Sequence, residues 1–361
     1  MSLPTSTKAI VLHKDASGNK EVFHDAVVAS IPVPALQSGQ VLVKLSALAF
    51  NRRDLWLRMG MYPGLAFDKV MGSDGVGQVI AAADPKDELL HKRVFFLPMK
   101  GWEDDPDAPE AGDAFAVVGG VKFAEYGTFA EYVVVDRNQV LLAPEFIDDL
   151  HLAAWPLGGL TAWRATMVNG RVSSGQTVLV TGAGGGVAIV AIQLCIAQGA
   201  NVYVTTGSAD KIKKAVDLGA KGGVNYKDAD WPAQLADLLK KDGIKKLDVV
   251  IDSAGGEQLM AQVGKVLKAG GIVVCYGMTA GKQINVTMRE VMRNQRLVGS
   301  TMGSKADLKN ATAFLEKHRI IPAVSHVLYG LDGALEAFEI MKQGEGFGKV
   351  VVDISGGKAS L

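Results

Sequence analysis

Residues 177–194 read TVLVTGAGGGVAIVAIQL. The continuous apolar run Thr177 to Thr181 predicts a strand buried on both faces, and Val187 to Gln198 predicts an apolar helix. Between them Gly182, Gly185 and Ala188 stand three residues apart. Such a turn must be tight, its backbone must approach a pyrophosphate closely, and its helix must pack near the strand. Each task requires little or no side chain. The start of the helix then offers free N–H groups and a positive dipole end to phosphate. A glycine cluster also arises for steric reasons alone, but here the flanking strand and helix supply the context that the motif requires. Gly182, Gly185, Gly186, Val187 and Ala188 are therefore expected to hold a dinucleotide.

Downstream the alternation continues. Strands are expected at Asn201 to Thr205, Val224 to Tyr226, Asp248 to Ile251 and Gly271 to Tyr276. Helices are expected at Asp210 to Leu218, Trp231 to Lys241 and Glu257 to Leu267. Apolar strands joined by helices predict a parallel, doubly wound sheet and an α/β fold. Upstream the chain is β-rich, with short strand-like runs at Lys8 to Leu12, Gln40 to Ala47, Val76 to Ala81, Val94 to Leu97 and Ala130 to Val135. Among them Trp102 to Asp113, WEDDPDAPEAGD, is an acidic stretch without periodicity and reads as a solvated surface loop. After about Met302 the regular alternation weakens. Helices at Lys305 to His318 and Gly333 to Gln343 and a strand at Lys349 to Ile354 look like a return to the first domain. The division expected is 1–155 with 303–361 and, between them, 156–302.

The second strand of the α/β unit decides which dinucleotide fits. An NAD site usually carries an acidic residue there, about 20 residues beyond the glycines, to accept from the ribose 2′-hydroxyl. This chain has Thr205, Thr206, Gly207 and Ser208, followed by Lys211. A hydroxyl and an ammonium suit a 2′-phosphate. One charge-assisted bond contributes roughly 1.5–3 kcal/mol, so a single good lysine contact favours NADPH by about 10- to 150-fold. Asp210 is the complication: as a helix cap it is neutral in the choice, whereas turned inward it would favour NADH.

Bulk properties exclude other classes. Of 361 residues 48% are hydrophobic, and 38 basic residues balance 38 acidic ones. The length suits two domains, and a net charge of zero offers nothing to nucleic acid or an anionic membrane. No apolar run reaches membrane-spanning length and no targeting pattern opens the chain, so a cytoplasmic location is expected. The two cysteines, Cys195 and Cys275, are far apart in apolar patterns, and the six histidines are scattered. No metal site of ordinary spacing can be built from them.

Several stretches in order carry a resemblance that covers nearly the whole chain: Asn51-Arg-Arg-Asp54, Arg58, Gly60, Tyr62-Pro63, Gly72-Ser73-Asp74-Gly75, GTFAEYVVV at 127–135 and Leu160-Thr161-Ala162-Trp163. The glycine turn, Val224-Asn225-Tyr226, the run from Asp248 to Asp252 and FGKVVV at 347–352 follow. Together they resemble the medium-chain dehydrogenase/reductase superfamily, in its zinc-free quinone oxidoreductase-like branch. The resemblance implies a GroES-like β-rich catalytic domain beside a Rossmann nucleotide-binding domain, and a homodimer whose suspected edge is the strand Gly271 to Tyr276 with the segment after it. Zinc-dependent relatives carry Cys where this chain has Asn51 and His where it has Ser73. A lobe of four cysteines in those relatives is here the acidic loop. Asn51 and Ser73 are poor zinc ligands, so no metal is expected. Carried onto matching positions, the resemblance also implies cofactor contacts at Thr161, Ser208, Lys211, Tyr226, Ala254, Gly277 and Lys349. A strand-end tyrosine and a lone surface lysine are the plain alternatives for Tyr226 and Lys349.

The branch implies hydride delivery from NADPH to a quinone or an α,β-unsaturated carbonyl, with hydrogen-bond donors stabilising the charge that grows on the carbonyl oxygen. Candidate donors are Asn51 and Tyr62, with Arg58 shaping the local field. Were the segment helical, Asn51, Asp54 and Arg58 would share a face, which equally allows a purely structural Asp54–Arg58 pair. For Tyr62 the plain alternative is a turn residue packed over Pro63. Two other functions remain open: a zinc-free alcohol/carbonyl oxidoreductase, and a cofactor-binding relative without turnover.

Overall fold

A computed structural model describes residues 3–17 and 23–356. In chain order the elements are β1 (Ser6–His13), β2 (Asp25–Pro32), β3 (Gln40–Ala49), α1 (Arg52–Arg58), β4 (Lys69–Val70), β5 (Asp74–Ala82), β6 (Arg93–Phe96), β7 (Met99–Lys100), β8 (Ala116–Val117), β9 (Tyr132–Asp136), β10 (Val140–Leu142), α2 (Asp149–Ala153) and α3 (Pro156–Trp163). Then come β11 (Thr177–Val180), α4 (Gly186–Ala197), β12 (Asn201–Thr206), α5 (Ala209–Asp217), β13 (Gly222–Asn225), α6 (Trp231–Lys241), β14 (Leu247–Asp252), α7 (Leu259–Val263), β15 (Leu267–Cys275), α8 (Met288–Met292) and β16 (Arg296–Gly299). The last are α9 (Lys305–His318), β17 (Val324–Tyr329), α10 (Gly330–Gly333), α11 (Glu336–Gln343) and β18 (Lys349–Asp353). No helix among the described residues is long and apolar enough to cross a membrane.

The chain divides into two units: Met1–Leu157 with Ser304–Lys309 and Ile321–Leu361, and Gly158–Gly303 with Asn310–Ile320. The second unit holds the parallel sheet in the order β13-β12-β11-β14-β15-β16. Numbered within the unit this is 3-2-1-4-5-6, the doubly wound order whose direction reverses between its first and fourth strands. Leu179, Tyr203, Val250 and Val273 from the strands and Leu235 and Leu239 from α6 build one core. Buried residues extend around most of α4, which packs against β11, β12 and the π-helical stretch Arg164–Asn169 after α3. Asn310–Ile320 groups with this unit because Phe314 lies 5.5 Å from the Trp163 ring and Ala311 and Leu315 are fully buried.

Two expectations change here. The helix expected from Glu257 to Leu267 shrinks to α7, because Leu267 pairs with Leu247 as the first residue of β15. Of the suspected dimer edge, the strand at Gly271 to Tyr276 is interior, since β15 pairs with β14 on one side and β16 on the other, and the outer position falls to β16 in the segment after it.

The first unit is built on a seven-stranded sheet ordered β10-β6-β5-β3-β18-β17, with β9 also on β3, and a smaller sheet β2-β1-β4. Register matters most at its centre. Ala49 of β3 faces Asp74 of β5 on one side and Val351 of β18 on the other. The same end of three neighbouring strands therefore carries Asn51, Ser73–Asp74 and Lys349. Phe50 anchors that end, packed on Phe129 at 4.3 Å and edge-on to Phe338 at 5.1 Å. Gly72, at φ +88, is obligatory there, for a Cβ would fall 2.1 Å from the Phe129 ring.

Candidate functional site

In the first unit β3 ends, Phe50 enters the core, and Asn51 becomes the N-cap of α1. The backbone N–H of Asn51 donates to Asp54 Oδ2 at 2.8 Å, one half of a capping box. The Asn51 amide donates to Asp74 Oδ2 at 2.8 Å and to Ser73 Oγ at 3.3 Å. Lys349 Nζ donates to Asn51 Oδ1 at 2.5 Å and to Asp74 Oδ2 at 2.9 Å. The remaining carboxylate oxygen of Asp74 accepts from the Leu157 N–H at 2.8 Å. Lys349 and Asn51 are each 6% exposed and Asp74 not at all. A buried ion pair is tolerable only when its other lone pairs and protons are met, and here the carboxylate has three donors.

Arg53 ties this cluster to the chain around it. Its guanidinium pairs with Asp54 at 3.3 Å, donates to the carbonyls of Val117, Val118 and Gly119, and lies over the Tyr62 ring at 4.6 Å. Burial pushes the Asp54 carboxyl up to about 6, against the pull of Arg53, the Asn51 N–H and Lys349. Tyr62 thus joins the Asn51 network through an arginine that sequence reading passed over. Arg58 does not join it. Its Nε donates to the His24 carbonyl at 2.7 Å, and its guanidinium sits between the rings of Phe23 and Phe338 at 3.9 and 4.5 Å. The expected shared face fails because Asn51 is the cap and Asp54 turns back to it, so Asp54 pairs with Arg53 rather than Arg58.

A zinc ion does not fit this cluster. Among the described residues no three His, Cys, Asp or Glu side chains gather as a metal site. Asn51 and Ser73 are weak donors, and the ammonium of Lys349 already stands on Asp74. The acidic loop is also organised without thiols. Glu110 accepts the backbone N–H groups of Glu103, Asp104 and Asp105 at 2.8–2.9 Å, which hold its carboxyl down near 2. Trp102, expected in a solvated stretch, is 2% exposed, edge-on to Phe115, and donates to the Asp105 carbonyl.

In the second unit the glycine turn leaves the C-terminal end of β11 at the point where the strand order reverses. Gly182 has φ +68, and a Cβ on it would lie 2.5 Å from Ser253 Oγ. Asp252, 1% exposed, joins the ends of β11 and β14: it accepts from Thr181 Oγ1 at 2.6 Å and from the N–H groups of Ala254 and Gly255. Gly277 is held close, since a Cβ there would meet the Ser253 carbonyl at 2.3 Å. Gly185 is the N-cap of α4 and brings no capping side chain, and the first bond of the helix runs from the Ile189 N–H to its carbonyl. The N–H groups of Gly186, Val187 and Ala188 precede that bond, and nothing stands within 4 Å of a Cβ on Gly185. An open cradle of backbone donors of this kind fits a pyrophosphate. Thr161 lies in α3, 6% exposed, with its hydroxyl 3.7 Å from Met302 Sδ.

Beyond the end of β12 the residues expected to choose the cofactor stand beside two glycines, Gly184 and Gly207. Lys211 reaches back to the turn, its Nζ 3.2 Å from where a Cβ on Gly184 would stand. The Tyr226 hydroxyl and Lys227 Cε lie 3.0 and 2.8 Å from the corresponding point on Gly207. Ser208 is the N-cap of α5 but its side chain does not cap it. Asp210 is not the cap; it lies in the first turn and pairs with Lys214 at 2.8 Å. Lys227 went unremarked in the sequence, although its place beside Tyr226 was the available signal. Lys349, expected with this group, belongs to the first unit.

A doubly wound unit with an open glycine turn, attached to a β-rich unit with a buried polar cluster, defines a nicotinamide-dependent oxidoreductase. Residues 37–145 match the alcohol dehydrogenase GroES-like domain family and residues 186–317 the zinc-binding dehydrogenase family. The zinc-type alcohol dehydrogenase-like protein YogA of Leptosphaeria maculans is 39% identical over 352 residues, 94% of this chain and 98% of that one. A zinc-type alcohol dehydrogenase-like protein of Schizosaccharomyces pombe is 30% identical over 358 residues, 95% of this chain and 98% of that one. Among solved structures, an NAD-dependent alcohol dehydrogenase superposes with a TM-score of 0.81 at 30% identity, covering 96% of this chain and 99% of that one. A crotonyl-CoA carboxylase/reductase in complex with NADP shares the fold at a TM-score of 0.84 and 22% identity, over 99% of this chain and 96% of that one. The chain belongs to the medium-chain dehydrogenase/reductase superfamily.

Proposed function

We propose that this oxidoreductase uses NADPH, without zinc, to reduce the conjugated double bond of a quinone or an α,β-unsaturated carbonyl compound. One observation carries the reading: where zinc-dependent relatives place Cys and His ligands, this chain places Asn51 and Ser73, and the Asn51 amide donates both to Ser73 and to a lysine-held carboxylate. When bound, the nicotinamide supplies the hydride. The chain's own residues do the rest. Backbone N–H groups at the start of α4 bind pyrophosphate. Lys211, Ser208, Tyr226 and Lys227 would hold a 2′-phosphate, and Asp210 is paired with Lys214. In the first unit a buried Lys349–Asp74 ion pair, bonded to the Asn51 amide, stands in place of the ligands of those relatives.

The test is NADPH oxidation across a panel of quinones, alkenals and enones, each repeated with a chelator and with NADH. Turnover of conjugated substrates that is indifferent to the chelator and prefers NADPH is expected. A rate abolished by the chelator and restored by zinc would refute the metal-free part. The names of the relatives favour a second reading, reduction of a simple carbonyl. Comparing an enone with its saturated ketone separates the two, because only a carbonyl reductase turns over the ketone.

A further inference from the structure

The 38 basic residues divide evenly, 19 to each unit, whereas 27 of the 38 acidic ones fall in the first unit and 11 in the second. A net charge of zero thus hides one net negative unit and one net positive unit. In the second unit a dinucleotide accounts for basic residues beside the glycine turn, at the C-terminal ends of the strands. It does not account for those at the opposite edge of the sheet. There Lys221 precedes β13, Lys245 and Lys246 precede β14, Lys265 precedes β15, and Lys240 and Lys241 close α6. All six are exposed. Lysines at a helix end complement its dipole, which explains the α6 pair alone. The carboxylates next to them are occupied: Asp217 pairs with Lys213 at 2.9 Å, Asp242 accepts from the Tyr203 hydroxyl, and Asp248 pairs with Lys268. Neighbouring strands stand about 4.8 Å apart, so the row from β13 to β15 extends over about 19 Å.

The first unit holds a complementary surface. Its loop at 101–115 contains six acidic residues and no basic one. Pairing of β7 with β8 closes the loop, and Glu110 fastens its backbone, so its shape is fixed in advance. Glu103 is taken by Lys305 at 3.3 Å. The exposed side chains of Asp104 and Asp113 form no ion pair among the described residues.

We propose that the acidic loop of one molecule docks on the lysine edge of a second copy of this chain. Neither surface can meet its own copy, because like charges would face each other across a twofold axis. The contact is therefore head to tail. A pair still has one free loop and one free edge, so further copies add to it. The attraction acts between exposed charges, so the assembly dissolves in salt and grows with protein concentration.

Sedimentation velocity of the full chain tests this over a range of protein concentrations. It is run in about 10 mM NaCl, where charges act across about 30 Å, and in about 1 M, where they act across about 3 Å. Wild type should form larger species at low salt and lose them at high salt. Lys241→Glu/Lys245→Glu inverts the edge, and Asp104→Lys/Asp113→Lys inverts the loop. These residues lie outside the glycine turn and the Asn51 cluster, so NADPH Kd by fluorescence and the urea midpoint should stay unchanged. Each variant alone should associate about tenfold more weakly than wild type at low salt. Mixing the two should restore association, because each loop again finds an edge of opposite charge. Wild type of one size at both salts would overturn the proposal, as would variants that associate like wild type or a mixture that does not recover. A poly-glutamate peptide is titrated alongside. Its capture by a wild type that does not self-associate would give the edge to another acidic protein, and the proposal would fall.

Discussion

The candidate groups of the two units are made of different material. In the second unit the glycine turn is backbone: N–H groups before the first bond of α4, kept open by the lack of side chains at Gly182 and Gly185. In the first unit the Asn51 cluster is side chain: an amide, a hydroxyl, a carboxylate and an ammonium brought from three strand ends and closed on one another. An open cradle is stable without its ligand because water can reach the donors. A closed buried network depends on every member, because removing one strands another's charge. The contrast teaches that mutations in the cradle should act on binding and mutations in the cluster on folding.

The largest effect should come from Asp74→Ala, which leaves the Lys349 ammonium buried without a counter-ion. A loss of about 3–5 kcal/mol is expected in urea unfolding. A change below about 1 kcal/mol would mean the cluster is wet, and the contrast would break.

Asp54 gives a pH signature. Its carboxyl titrates near 6 when folded against an ordinary 3.8, so between those values the native state holds the extra proton. Stability should therefore fall as pH rises from about 4 to about 6, by an amount on the order of 2–3 kcal/mol. Asp54→Asn, which cannot ionise, should flatten that slope in urea midpoints measured across the interval. A slope that survives in the variant would place its source elsewhere.

Smallest in energy, Lys211→Ala should weaken NADPH binding by about 10- to 150-fold, with NADH affinity unchanged in the same fluorescence titration. Equal losses for both cofactors would mean that Lys211 serves the turn rather than the 2′-phosphate.

The same contrast explains what could be read in advance. Backbone-built features leave local marks: glycine spacing and apolar runs announced β11, the turn and α4, and Trp231–Lys241 and Lys305–His318 formed as the periodicity required. Side-chain networks are assembled by register between distant strands, here residues 51, 74 and 349, and no local pattern encodes that meeting. Hence Arg58 was expected on the Asn51 face, the meeting of Lys349 with Asn51 and Asp74 was not foreseen, and Arg53 was overlooked. The edge strands β2, β16 and β17 were also missed. Their mixed exposure gives neither a continuous apolar run nor a clean alternation.

The loop at 102–113 shows how one carboxylate can serve as a fastener. Glu110 gathers three consecutive peptide groups with oxygen atoms that belong to the chain itself. No thiol in this segment can be oxidised and no bound ion need be recruited for it to close. Its shape is thus set during folding, independent of the metal supply or redox poise of its surroundings.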